Sequence, residues 1–185
     1  WANELDIEVI GYDVFDMLVN FWEVLLSQPQ ELSKELSKIT PDDKTYKEVK
    51  EVLMSLDKTQ DMLKDWKTDS YKRYAKISLN NLERASLYYF NHNTSYGPGY
   101  LGWGSSVYLQ ADKWKQMCKN INNFKCGNLS VKQGDYRVTI PHHKNDLLYL
   151  DPPYYLEKDK DNKMFKGIYP MRNIPVHHDG FDHEK

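Results

Sequence analysis

The sequence predicts an α/β fold: a parallel sheet with a mainly helical lobe inserted between its strands. Three observations carry that prediction. Short strand-like runs at 7–13, 129–135 and 147–151 each end in an acid, Asp13, Asp135 and Asp151. Amphipathic helical patterns separate the runs, and alternation of this kind implies parallel strands with ligands at their carboxyl ends. The 100-odd residues between the first and second runs hold several further helical patterns and no strand run.

Along the chain, 7–12 (IEVIGY) is β-branched and aromatic and reads as a buried strand closed by Asp13. From Phe15 the apolar spacing changes to Leu18, Val19, Trp22, Leu25 and Leu26, a helix face, with Pro29 marking its end. Segments 29–39 and 45–66 are charge-rich with apolar residues at helical spacing, the second with Thr45 at the N-cap and Glu48 three residues on. Another helix is predicted over 70–91. Residues 91–106, NHNTSYGPGYLGWGSS, read as loop or hairpin. They contain a formal GxGxxG at 97–102, but a dinucleotide fingerprint needs an apolar strand directly before it, and here a polar stretch precedes it. A short helix after Ala111 leads to the second strand, and the third ends at Asp151.

Composition excludes little. The 185 residues are 40% hydrophobic with a net charge of −2, enough for one ordinary core and no global signature of nucleic-acid binding. Cys118 and Cys126 do not form a disulfide framework or a CxxC zinc pattern, and the chain reads as one from a reducing, cytoplasmic (or, for a virus, host-cell) interior. His142, His143, His177, His178 and His183 lack the i, i+4 spacing of a helical zinc pair, so no metal is expected. No run is long enough for a membrane span and no membrane partner is expected. Nothing in the sequence speaks to oligomeric state.

Acids at strand ends suit a ligand rich in hydrogen-bond donors, because an ionised carboxylate only accepts. A turn or N-cap role is the plainer alternative for Asp13. Asp151 differs, since it is followed by Pro152, Pro153 and Tyr154. That tetrapeptide is expected by chance in roughly one chain per thousand of this length. It resembles the catalytic loop of the Dam-type DNA adenine-N6 methyltransferases, which use S-adenosylmethionine. The resemblance implies a Rossmann-like methyltransferase sheet, double-stranded DNA as partner, and Asp151, Pro152, Pro153 and Tyr154 as the catalytic loop. The chemistry of those residues agrees with it. An adenine amine is a poor nucleophile until acceptors draw its hydrogens out of the ring plane; Asp151 and the Pro152 carbonyl are two such acceptors, the prolines fix the backbone, and Tyr154 stacks on an extruded base.

Further segments are similar to the same family. Residues 12–22 resemble the segment whose aspartate, here Asp13, holds the cofactor's ribose, although Tyr12 and Phe15 stand where the family has asparagine. Gly134, Asp135 and Tyr136 resemble the step that contacts the cofactor's adenine. Residues 181–184 resemble the start of the helix after the catalytic loop, and 84–96 resemble the entry to the DNA-recognition lobe. The division implied is 1–28 with 125–185 as a partial catalytic core, and 29–124 as the recognition lobe. The family's glycine-rich FxGxG cofactor loop has no counterpart in the sequence, so a fragment of the core is expected. Within the lobe Asn91, Asn93, Ser95 and Tyr96 are the candidate DNA contacts, since amides read adenine edges and hydroxyls meet phosphate; Arg73, Arg84 and Lys113, Lys115, Lys119, Lys125 and Lys132 add a mildly basic stretch. Residues 156–180, largely polar, read either as a lid over the flipped base or as a disordered connector. The alternatives are a methyltransferase acting on RNA or on cytosine-N4 with the same motif, and a catalytically silent DNA-binding remnant.

Overall fold

A computed structural model of the chain describes residues 2–56, 78–96 and 100–151. Within them the order is α1 (Ala2–Leu5), β1 (Val9–Asp13), α2 (Asp16–Ser27), α3 (Pro29–Leu36), α4 (Asp43–Leu56), α5 (Asn81–Thr94), α6 (Ala111–Asn122), β2 (Leu129–Gln133) and α7 (Tyr136–His142). No helix among them is long and apolar enough to cross a membrane.

β1 and β2 pair in parallel, with Val9 opposite Leu129 and Asp13 opposite Gln133. Both strands therefore end together, and the ladder is extended at that end by Gly134, whose N–H donates to the Asp13 carbonyl at 3.0 Å. α2 lies against both strands with one face and against α5 with another. Its stripe Met17, Phe21, Val24 and Leu25 is buried, as the helical spacing requires.

The lobe supplies the rest of the core. Leu32, Leu36, Tyr46, Leu53, Ala85, Phe90, Trp114 and Ile121 join the α2 stripe in one continuous cluster, so the lobe and the first core helix share their burial. Polar pins set the helix positions. Buried Asn20 donates to the Asn81 carbonyl at 2.9 Å, Ser33 to the Cys118 carbonyl at 2.9 Å, and the Trp114 indole to the Leu36 carbonyl at 3.2 Å. Each satisfies a side-chain donor that burial alone leaves costly.

Three boundaries differ from the sequence expectation. α4 is started by Asp42, whose carboxylate accepts the Thr45 N–H at 2.7 Å, so Thr45 receives the cap instead of providing it. The predicted 70–91 helix, where described, begins at Asn81: Asn80 and Glu83 form a reciprocal capping box, and the helix runs on to Thr94. Asp135 does not end a strand. It is the N-cap of α7, an unpredicted helix whose sequence is rich in β-branched residues and contains Pro141.

The third predicted strand is absent. Residues 147–151 are irregular, and Leu147, Leu148, Tyr149 and Leu150 are all exposed, Leu147 completely. A parallel strand needs a neighbour for its N–H and C=O groups and cover on both faces. Among the described residues the sheet has two strands, and neither pairs with this run.

Candidate active site

Of the sequence-predicted site residues, Pro152, Pro153 and Tyr154 lie outside the described residues, as do Arg73, the 156–180 segment and the 181–184 helix start. Asp151 is exposed.

Asp13 terminates β1 half-buried. One carboxylate oxygen accepts the Phe15 N–H at 2.7 Å, a local turn that aims the chain into α2. Its negative charge also reaches Tyr88 on α5, whose phenol is pushed above the usual tyrosine range first by burial and then by Asp13. Phe15, at one of the positions that depart from the family resemblance, packs edge-on against Tyr88 and Tyr100, with ring centroids 5.9 and 5.0 Å away. An asparagine there cannot provide that contact; the aromatic ring joins the end of β1 to the lobe.

Asp135 accepts the Arg137 N–H at 2.9 Å and is also gripped by the Arg137 guanidinium, with Nε at 2.9 Å. Hydrogen bonds from Arg137 hold its carboxyl at about 2, well below the ordinary range. Tyr136 is half-buried with the same guanidinium 5.7 Å from its ring centroid. Between the two acids sits Gly134. A Cβ there meets Thr139 Cγ2 at 2.7 Å and Tyr12 Cδ1 at 2.9 Å, so only glycine allows Tyr12 and α7 to close over the strand ends.

Tyr12 holds a contact with no precedent in the sequence reading. Its hydroxyl lies 3.0 Å from His143 Nε2, and His143 Nδ1 lies 2.8 Å from an Asp146 carboxylate oxygen. Arg137 and this Tyr12, His143 and Asp146 chain are the residues that sequence reasoning missed. An Asp-x-Arg step was a visible signal for the first, whereas only the fold brings residues 12 and 143 together.

In the lobe, the four candidate DNA contacts divide. Asn91 is fully buried, and its amide oxygen accepts the Leu101 N–H at 2.7 Å. Leu101 has a φ of 60° and is itself buried, so Asn91 stabilises a left-handed turn that a non-glycine residue adopts at a cost. Ser95 is buried against the Tyr46 hydroxyl at 2.7 Å, and Asn93 donates back to the Tyr89 carbonyl at 3.0 Å. These three build the loop. Tyr96 is 78% exposed, and its N–H donates to the carbonyl of Trp103, which is 76% exposed. The antiparallel bridge between Ser95 and Gly104 holds the two sides of the segment together, and both aromatic rings face solvent. Arg84, expected on the basic face, instead pairs with Asp16 at 3.0 Å. Lys115 and Lys119 border an open groove of about 490 Å³ between α3 and α6, lined also by Ser33, Ser37 and Cys118, which holds none of the strand-end acids.

The end of the sheet thus carries one carboxylate from β1, Asp13, and one from the N-cap of α7, Asp135, on either side of a glycine that permits close approach. That acceptor set fits the ribose hydroxyls and amino groups of S-adenosylmethionine. A family model described as D12 class N6 adenine-specific DNA methyltransferase matches residues 2–179. A comparison with curated proteins finds no match, and neither does one with solved structures.

Proposed function

The chain belongs to the D12 class N6 adenine-specific DNA methyltransferases, and from that premise we propose that the carboxyl ends of β1 and β2 hold the cofactor and that Asp151 opens the catalytic loop. S-adenosylmethionine supplies the methyl group in this family; everything else is the work of the chain. The observation that carries the reading is the register of the two parallel strands, which brings Asp13 beside Gly134 and Asp135 at one end of the sheet. Ligands of open parallel sheets bind at that end.

Asp13 accepts from the ribose diol with the carboxylate oxygen that does not hold the Phe15 N–H. Asp135 is the subtler case, because Arg137 already grips it. The arginine keeps the carboxyl ionised, and the acceptor capacity that remains is directed at the adenine amine. Tyr136 flanks the same ring.

Asp151 and the Pro152 carbonyl take the two hydrogens of the target adenine's amine, which raises electron density on the nitrogen and disperses the charge that develops as the bond to carbon forms. The exposure of Asp151 leaves it accessible to a base turned out of the duplex. Tyr154 stacks on that base. Tyr96 and Trp103 on the exposed segment are the contacts to double-stranded DNA, and Asn91, Asn93 and Ser95 hold the segment in shape.

The test is methyl transfer from S-adenosylmethionine to duplex oligonucleotides containing adenine, with Asp151→Ala as the comparison. Expected is a fall in turnover of about 10²-fold or more with cofactor affinity retained, the size seen when one transition-state hydrogen-bond partner is lost. Undiminished turnover in Asp151→Ala refutes the catalytic loop. DNA binding without any methyl transfer by the unmutated chain favours the silent remnant.

A further inference from the structure

With Asp146 ionised and His143 neutral, the chain from Asp146 through His143 to Tyr12 runs in one direction. An ionised carboxylate has no proton to give, so His143 Nδ1 carries the hydrogen that Asp146 accepts at 2.8 Å. In the neutral imidazole Nε2 is then an acceptor, and the Tyr12 hydroxyl must donate to it across 3.0 Å. The hydroxyl proton is thereby committed, and the lone pairs of the Tyr12 oxygen remain.

The position of that oxygen is specific. Tyr12 is the penultimate residue of β1, one before Asp13, and its ring lies against Gly134 of the neighbouring strand end. It is 36% exposed, so the phenol is open to a ligand. The family resemblance places an asparagine here. Asparagine carries both a donor and an acceptor; Tyr12, fixed by His143, offers acceptance alone.

We propose that Tyr12 is an additional cofactor-binding residue, its oxygen oriented by His143 and Asp146 to accept a hydrogen bond from a hydroxyl or ammonium group of S-adenosylmethionine at the carboxyl end of β1. This rests on the placement of the cofactor at the strand ends. His143 and Asp146 are positioning residues: they touch no ligand and act by setting the direction of the Tyr12 hydroxyl. They also anchor the segment after α7, a helix with no buried residue of its own, to the end of the sheet.

Calorimetric titration of the chain with S-adenosylmethionine tests this. Tyr12→Phe keeps the ring against Gly134 and removes only the oxygen, and a roughly three- to tenfold weaker affinity is expected for one hydrogen bond. His143→Ala leaves the oxygen but frees its proton, and is expected to weaken binding in the same direction; the double variant should be no weaker than Tyr12→Phe alone. Nitrogen NMR of His143 in the unmutated chain supplies a readout independent of binding, with the hydrogen on Nδ1 expected. Unchanged affinity in Tyr12→Phe, or a hydrogen on Nε2 alone, overturns the inference while leaving the cofactor site standing. A clasp that serves stability alone gives this first outcome, with lower melting temperatures for both variants. No binding of S-adenosylmethionine by the unmutated chain overturns the cofactor site itself, and the role of Tyr12 with it.

Discussion

The helical lobe and the strand ends treat apolar residues in opposite ways. In the lobe Leu32, Leu36, Leu53, Ala85 and Phe90 are completely buried, whereas residues 147–150 leave Leu147 fully exposed and Tyr149 at 82%. The lobe is closed by contacts between helices distant in sequence, α5 against α2 and α3, and α6 against α3. Among the described residues the sheet has two strands, and its carboxyl end is finished by polar contacts: Asp13 with Phe15, Asp135 with Arg137, Tyr12 with His143. Burial is therefore concentrated in the lobe, and the proposed cofactor site lies where burial is incomplete, the division expected when binding sites draw on the less stable parts of a fold.

The largest effect is expected from Phe90→Ala. Phe90 is fully buried and meets the Trp114 ring edge-on at 5.0 Å, so its removal should cost about 3–5 kcal/mol in urea unfolding. The counterpart at the strand end, Leu147→Ala, should fall within about 0.5 kcal/mol, as for exposed positions generally. Similar losses at the two positions would erase the contrast.

Next comes Asn91→Leu, which preserves bulk but leaves the buried Leu101 N–H without its acceptor. A loss of about 1–3 kcal/mol is expected, with proteolysis accelerated near Leu101. Unchanged stability would mean that the left-handed turn does not depend on Asn91. Gly134→Ala is expected to be somewhat milder, about 1–2 kcal/mol, because the added methyl forces Thr139 and Tyr12 apart. Its sharper signature is loss of the Tyr12 to His143 contact in NMR spectra.

Much of this arrangement was readable before any coordinates. β1, α2, α3, α6 and β2 follow from apolar period and from Pro29, because those residues face a core whatever the details of packing. Side-chain capping was harder: Asp42 and Thr45 are both good cap residues, and only geometry decides whose side chain accepts the backbone N–H. α7 was hidden because β-branched residues and Pro141 argue against a helix, while the Asp135 and Arg137 grip that starts it depends on side-chain reach. Residues 147–150 have strand propensity, but propensity cannot supply a neighbour to pair with. In the candidate site, Asp13 and Asp135 were legible from their places after apolar runs. Asn91 and Ser95 looked like polar loop residues, yet in the fold they serve the loop's own backbone, and the exposed partner of Tyr96 proved to be Trp103.

The smallest effect concerns pH. Arg137 depresses the Asp135 carboxyl from 3.8 to about 2, so the stabilisation it contributes is complete above the ordinary carboxylate range and is lost as pH falls through about 2. Asp135→Asn should remove that dependence between about pH 4 and 2 while leaving stability near neutrality only slightly changed. Carbon NMR titration of the Asp135 carboxyl gives the midpoint directly, and a midpoint near 4 would show that Arg137 does not hold it in solution.

The cofactor placement is tested most directly by amide chemical-shift mapping of the chain during titration with S-adenosylmethionine. Shifts are expected at residues 12–14 and 133–137, with the α3 and α6 groove unaffected. Shifts confined to that groove, or to the segment bearing Tyr96 and Trp103, would contradict a cofactor site at the carboxyl ends of β1 and β2.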